Sequence, residues 1–137
     1  SSEVFLEDYA YSIAMFLDLY DQTLKPNYLF KAKELCEKTI ELFYIKEKLI
    51  FQKNIVANND LFHKPIDISD GNIPNGNSVM LLNFTRLKMK NEARDLSNSL
   101  NGYLNIYKSL MASSLKSIDY FNMMDTKKKC TNEGCLI

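Results

Sequence analysis

VFLEDYAYSIAMFLDLYDQT, residues 4–23, is the stretch whose reading decides the fold. Phe5, Tyr9, Ile13, Phe16, Leu17 and Tyr20 recur at three- and four-residue steps, the period of an amphipathic helix rather than a strand. Ala10 and Ala14 add two small residues that let a neighbouring helix come close. Leu24-Lys25-Pro26 interrupts the pattern, and Pro26 suits the first position of a new helix. That second helix, predicted over 26–47, carries Leu29, Ala32, Leu35, Cys36, Thr39, Ile40 and Phe43. Its charged residues, Lys31, Lys33, Glu34, Glu37, Lys38 and Glu41, fall mostly between those positions. So short a connection makes the pair an antiparallel helical hairpin.

Residues 48–76 change character: Leu49-Ile50-Phe51 reads as a brief strand, and Asn, Asp, Gly and Pro then fill a long loop. A loop of that length is either functional or a solvated crossover between hairpins. Asn77 or Ser78 can cap a third helix over 77–90, built on Val79, Leu81, Leu82, Phe84 and Leu87. A break at 90–91 leads to a fourth helix over 92–111, with Leu96, Leu100, Tyr103, Leu104, Tyr107 and Leu110 at helical spacing. Leu115, Ile118, Phe121 and Met124 predict a fifth over 113–124. The expected organisation is an all-α domain of antiparallel helical hairpins over 1–125, followed by a polar, fraying tail over 126–137.

Composition narrows the function. Seventeen Lys and Arg balance seventeen Asp and Glu, so the basic excess on which phosphate affinity rests is missing and a nucleic-acid partner is not expected. At 46% hydrophobic residues the chain can bury a core, which argues against disorder. No apolar run approaches the roughly 20 residues of a membrane helix, and no membrane association is expected. The pattern predicts a soluble, cytoplasmic, helical protein. His63 is the sole histidine, so a multi-histidine metal site is excluded, and neither a metal nor a cofactor is expected. Of the three cysteines, Cys36 falls on the core stripe of the second helix and reads as a small hydrophobe. Cys130 and Cys135 lie in the tail as C-x4-C, which fits a reversible disulfide or an unpaired tail better than a thioredoxin-type motif. Lys127–Lys129 reads as a solvated run.

Candidate site residues come with structural alternatives. Glu7 and Asp8 open the first helix, where a carboxylate is favoured by the helix dipole whether or not it does chemistry. Asp70-Gly71 through Gly76-Asn77-Ser78 is the strongest single motif, because its glycines permit sharp turns and its polar residues can contact a ligand or cap the next helix. It lacks the glycine and lysine spacing of a phosphate-binding loop. The aromatic stripe of Tyr9, Phe16, Tyr20, Tyr103 and Tyr107 reads first as core.

Three stretches together resemble one family. Phe5-Leu-Glu-Asp-Tyr-Ala-Tyr11, the loop Lys64-Pro65 … Asp70-Gly71-Asn72-Ile73-Pro74-Asn75-Gly76-Asn77-Ser78, and the pair Cys130 and Cys135 are similar, in order and separation, to segments of bacterial and animal proteins with an N-terminal thioredoxin-like domain, the relatives of the spermatogenesis-associated thioredoxin-domain protein. Asn72 and Asn75 stand where that family usually has Ala and Ser. The resemblance implies that this chain is a C-terminal piece of an α/α toroid similar to six-hairpin glycosidases and N-acylglucosamine 2-epimerases, with the rest of the toroid and the thioredoxin-like domain upstream as its partners. It further implies a rim of Asp8, Tyr9, Asp70, Asn77 and Ser78 around a carbohydrate-sized cavity, in which Asp8 and Asp70 act as acid and base. A fragment of such a toroid is expected to be inactive alone. From a different class, the hairpins form an interaction module that associates through open helix faces, with itself or with a partner.

Overall fold

The computed structural model describes residues 3–56, 75–107 and 112–133. In chain order they form β1 (Glu3–Phe5), α1 (Leu6–Thr23), α2 (Pro26–Phe43), β2 (Tyr44–Ile45), β3 (Ile50–Phe51), β4 (Asn54–Val56), α3 (Gly76–Arg86), α4 (Lys90–Tyr107) and α5 (Ala112–Glu133). The chain is mostly helical, but the all-α expectation needs correcting, because two small antiparallel sheets, β1–β4 and β2–β3, brace the helices.

The α1–α2 hairpin forms as its pattern predicts. Leu6, Ala10, Ile13 and Leu17 of α1 face Ala32, Cys36, Thr39 and Phe43 of α2 in one buried cluster. Tyr9 sets its ring edge against Phe43 at 5.4 Å, and the Lys31 ammonium lies 5.7 Å from the centre of the Phe16 ring, so the helices run antiparallel. Leu24 closes α1 with a left-handed backbone (φ 55°), its amide donating to the Tyr20 carbonyl at 2.7 Å. A leucine there costs about 1–2 kcal/mol.

The second helix stops at Phe43 instead of continuing to 47. The Lys46, Glu47 and Lys48 run fits a helix by composition, yet it forms the turn of the β2–β3 hairpin, with Leu49 left-handed (φ 54°). Two ring contacts decide the competition: Phe51 packs on Tyr44 at 5.0 Å and on Phe84 of α3 at 5.7 Å. Local propensity yields here to burial of an aromatic ring. At the other end, Phe5 is extended (φ −109°, ψ 138°), so α1 starts at Leu6 and residues 3–5 pair with β4. The Leu6 amide donates to the Lys53 carbonyl at 2.8 Å, and Asn54 donates to the Glu3 carboxylate.

The predicted helix over 77–90 is shorter. α3 ends at Arg86, and Lys88, with φ 60°, turns the chain into α4 at Lys90. Its cap is Asn75, whose Oδ1 accepts from the Ser78 amide at 3.0 Å. α3 packs against α1, α4 and α5 and is buried along nearly its whole length. α5 also departs from expectation: it runs through Glu133, across the predicted boundary at 125/126. Lys127–Lys129 and their neighbours are polar yet compatible with helix, and no glycine or proline intervenes before Gly134. Among the described residues no helix is long and apolar enough to cross a membrane.

Polar interactions also tie α3 to the remainder. The Asn77 carboxamide pairs with both backbone groups of Phe51, accepting from its amide at 2.9 Å and donating to its carbonyl at 3.0 Å. Arg86 bridges Asp18 at 2.8 Å and Asp21 at 2.9 Å. Asn77→Ala leaves a buried amide and a buried carbonyl without these partners and is expected to cost about 2–5 kcal/mol. A fall in the urea midpoint at unchanged slope checks this. Arg86→Ala removes bridges whose acidic partners are well exposed, so its cost should be about 1 kcal/mol or less and should vanish in high salt.

Candidate functional site

The end of the 64–78 motif is the first place to look, and there the sequence builds core. Asn75 and Asn77 are completely buried and Ser78 is 1% exposed. The Asn75 side-chain oxygen accepts from the Ser78 amide and also from the Ser78 hydroxyl at 3.2 Å, closing the first turn of α3. The Asn77 amide faces β3. The expectation that Asn77 and Ser78 contact a ligand is therefore corrected: both side chains point into the fold, where a sugar hydroxyl would have to displace buried bonds. The cap expected at Asn77 or Ser78 is instead Asn75, whose side-chain oxygen takes the Ser78 amide.

Tyr9 is half-buried against Phe43 and the central cluster, which makes it a packing residue. Asp8 remains on the surface in the first turn of α1, its backbone carbonyl accepting from the Ser12 hydroxyl at 2.6 Å. Asp70 lies outside the described residues, as do His63 and Cys135, so the Asp8–Asp70 pairing has no measured separation. Cys130 lies in the last turns of α5.

Asp8 has surface neighbours that the sequence reading passed over. With Leu6, Ala10, Ile13 and Leu17 buried, the positions on the opposite side of α1 are Asp8, Tyr11, Met15, Asp18 and Gln22. Tyr11 is 38% exposed and Met15 50% exposed. The outer face of α1 thus carries an aromatic ring and a thioether flanked by two carboxylates. α1 holds Glu7, Asp8, Asp18 and Asp21 and no lysine or arginine, so its own charge is purely negative. Arg86 of α3 bridges Asp18 and Asp21 at the far end of the helix. The signal was available: Tyr11 and Met15 are apolar at positions out of phase with the core stripe.

Two groups elsewhere, one buried and one half-buried, have shifted acidity. Cys36 is 1% exposed, with its sulfur 3.9 Å from that of Met89. Burial, then the negative charges of Glu37 and Glu92, push its thiol from 9.0 up to about 12. Burial, then Asp95 and Glu92, push the Tyr44 phenol from 10.0 up to about 12. Cys36 is the inert small hydrophobe that its place on the stripe predicts. Among the described residues no group of three or more histidine, cysteine or acidic side chains is placed to hold a metal ion.

Set beside known proteins, the chain matches no family model, no curated protein and no solved structure.

Cys36 should resist alkylation in the native chain at pH 8 and react at least about tenfold faster once the chain is unfolded, read by mass mapping of its peptide. Both Cys36 and Tyr44 ionise in the unfolded chain before they do in the folded one. Their contribution is complete below the ordinary thiol value of 9.0 and is lost as pH rises toward about 12. Urea midpoints measured from pH 8 to 12 should fall over that window, less steeply in Cys36→Ala after correction for its lower starting stability.

Proposed function

We propose that the chain is a helical-hairpin segment of a larger α/α assembly, of the toroid kind that the resemblance to the thioredoxin-domain family implies. In this reading the outer face of α1 is a wall of a ligand cavity for a polyhydroxylated, carbohydrate-like molecule. The supporting observation is the stripe of Asp8, Tyr11 and Met15 opposite the core of α1. A carboxylate accepts hydrogen bonds from sugar hydroxyls, and an aromatic ring one turn away offers a flat apolar surface for the C–H face of a pyranose. Acid–base chemistry needs a second carboxylate across the cavity, and Asp70 is the proposed partner of Asp8 in that role. The remaining hairpins of the toroid, and a thioredoxin-like domain preceding them, are the proposed covalent partners, and the segment alone is expected to be inactive.

A second reading rests on a different observation. Leu24 is 71% exposed, Phe30 70%, Leu115 51% and Met123 45%, so large apolar side chains on α2, α5 and the first turn remain uncovered. Such residues suit a module that packs against other helices, including those of a second copy.

The two readings separate experimentally. In the intact protein containing this segment, binding to a panel of mono- and oligosaccharides is measured by calorimetry for the wild type, Asp8→Asn and Tyr11→Ala. The ligand reading expects one sugar to bind and each substitution to weaken it about tenfold or more. No binding to any member of the panel, together with concentration-dependent dimerisation that Phe30→Glu abolishes, would establish the docking module instead.

A further inference from the structure

Asn83 lies in the middle of α3 on the side that meets α1, and it is 1% exposed. Its Nδ2 donates to the Ala10 carbonyl of α1 at 2.9 Å and lies 3.7 Å from the Met80 sulfur. Its Oδ1 is buried and has no hydrogen-bond partner among the described residues. Ala10 lies inside α1, so its carbonyl also receives the helix's own donor four residues on. The amide therefore gains a shared acceptor on one side and nothing on the other. A leucine has the same branched skeleton of four side-chain heavy atoms and no polar atom to leave unsatisfied. A half-satisfied polar group in a core is worse for stability than a hydrocarbon, so stability does not account for an asparagine here.

What the amide supplies is selectivity. α3 packs against α1, whose buried residues Leu6, Ala10, Ile13 and Leu17 are all aliphatic. On such a face a helix can shift along the groove or rotate about its axis with little loss of apolar contact. Only one placement puts the Asn83 donor on the Ala10 carbonyl. We infer that Asn83 is a positioning residue that fixes the register of α3 on α1 by penalising the alternatives, and that it does so at a net cost to stability. The inference is independent of any ligand on the outer face of α1. Arg86, one turn further on, makes a polar contact along the same seam, but its bonds are to exposed carboxylates that salt screens.

The test is carried out in high salt, where the Arg86 bridges contribute least, on the full chain with Asn83→Leu and Asn83→Ala. Leucine keeps the branched skeleton but adds bulk, and alanine cannot clash. The wild type should give one set of backbone amide resonances for Ala10, Ile13, Met80 and their neighbours. The inference expects a second set in the variants, populated to about 1–10% and exchanging with the first. Asn83→Leu should unfold at a urea midpoint equal to or above that of the wild type. A second set in either folded variant sustains the inference, and any other outcome overturns it, including failure of both to fold. A lowered midpoint in Asn83→Leu without a second set makes the amide an ordinary stabilising bond.

Discussion

The pairing of the Asn77 carboxamide with the backbone of Phe51 is the constraint on which the remaining structure depends. A side-chain amide has one donor and one acceptor at the spacing of a peptide group, so it can meet a strand residue as another strand would. Here it joins α3 to a hairpin of only two residues per strand, far too small to persist by itself. With Phe51 held, its ring is fixed between Tyr44 and Phe84, and the end of α2 is fixed with it. From there the connections reach outward. The Gln52 amide donates to the Phe43 carbonyl, the Leu6 amide to Lys53, and Ser99 of α4 to the turn carbonyl of Lys48. A short hairpin thus becomes the junction of α1, α2, α3 and α4.

That junction explains why the polar residues at 75–78 behave as they do. Glycine, asparagine and serine at the head of α3 suggest exposure by composition alone. Inside a crowded junction they are the residue types that keep backbone groups paired while occupying little volume. The acidic and aromatic residues on the outer face of α1 are placed differently. Asp8, Tyr11 and Met15 lie outside the central cluster, on the exposed side of the helix.

How much of this was legible in the sequence depended on the range of the deciding interaction. α1 and α2 were readable because three- and four-residue periodicity is local and Pro26 marks the joint. The end of α2 was not, since Lys46, Glu47 and Lys48 favour helix and the opposing contacts come from Phe51 and Phe84, the latter 41 positions beyond the end of α2 at Phe43. The cap of α3 was misplaced by two residues because Asn75, Asn77 and Ser78 all have capping side chains, and burial partners alone distinguish them. β1 and β4 are short and are brought together from either side of the first hairpin, so no local pattern announced them. Asn83 was invisible for a related reason: a single polar residue on a helix says nothing about whether its neighbours will satisfy it. Tyr11 and Met15 could have been found, since helical phase alone puts them opposite the core.

The Asn77 pairing also has a bearing on how the chain avoids self-polymerisation. β3 uses one side for β2, and its other side would ordinarily present an open row of donors and acceptors, a template for strand addition by another molecule. Charged side chains or a proline often blunt such an edge. Here the edge is stopped by a carboxamide from a helix, which terminates the ladder at the width of two strands and has no further edge of its own. The protection is therefore conditional on α3 being docked. Whenever α3 detaches, Ile50 and Phe51 become a bare apolar edge, and the hazard of ordered aggregation tracks the stability of one helix rather than that of the whole chain.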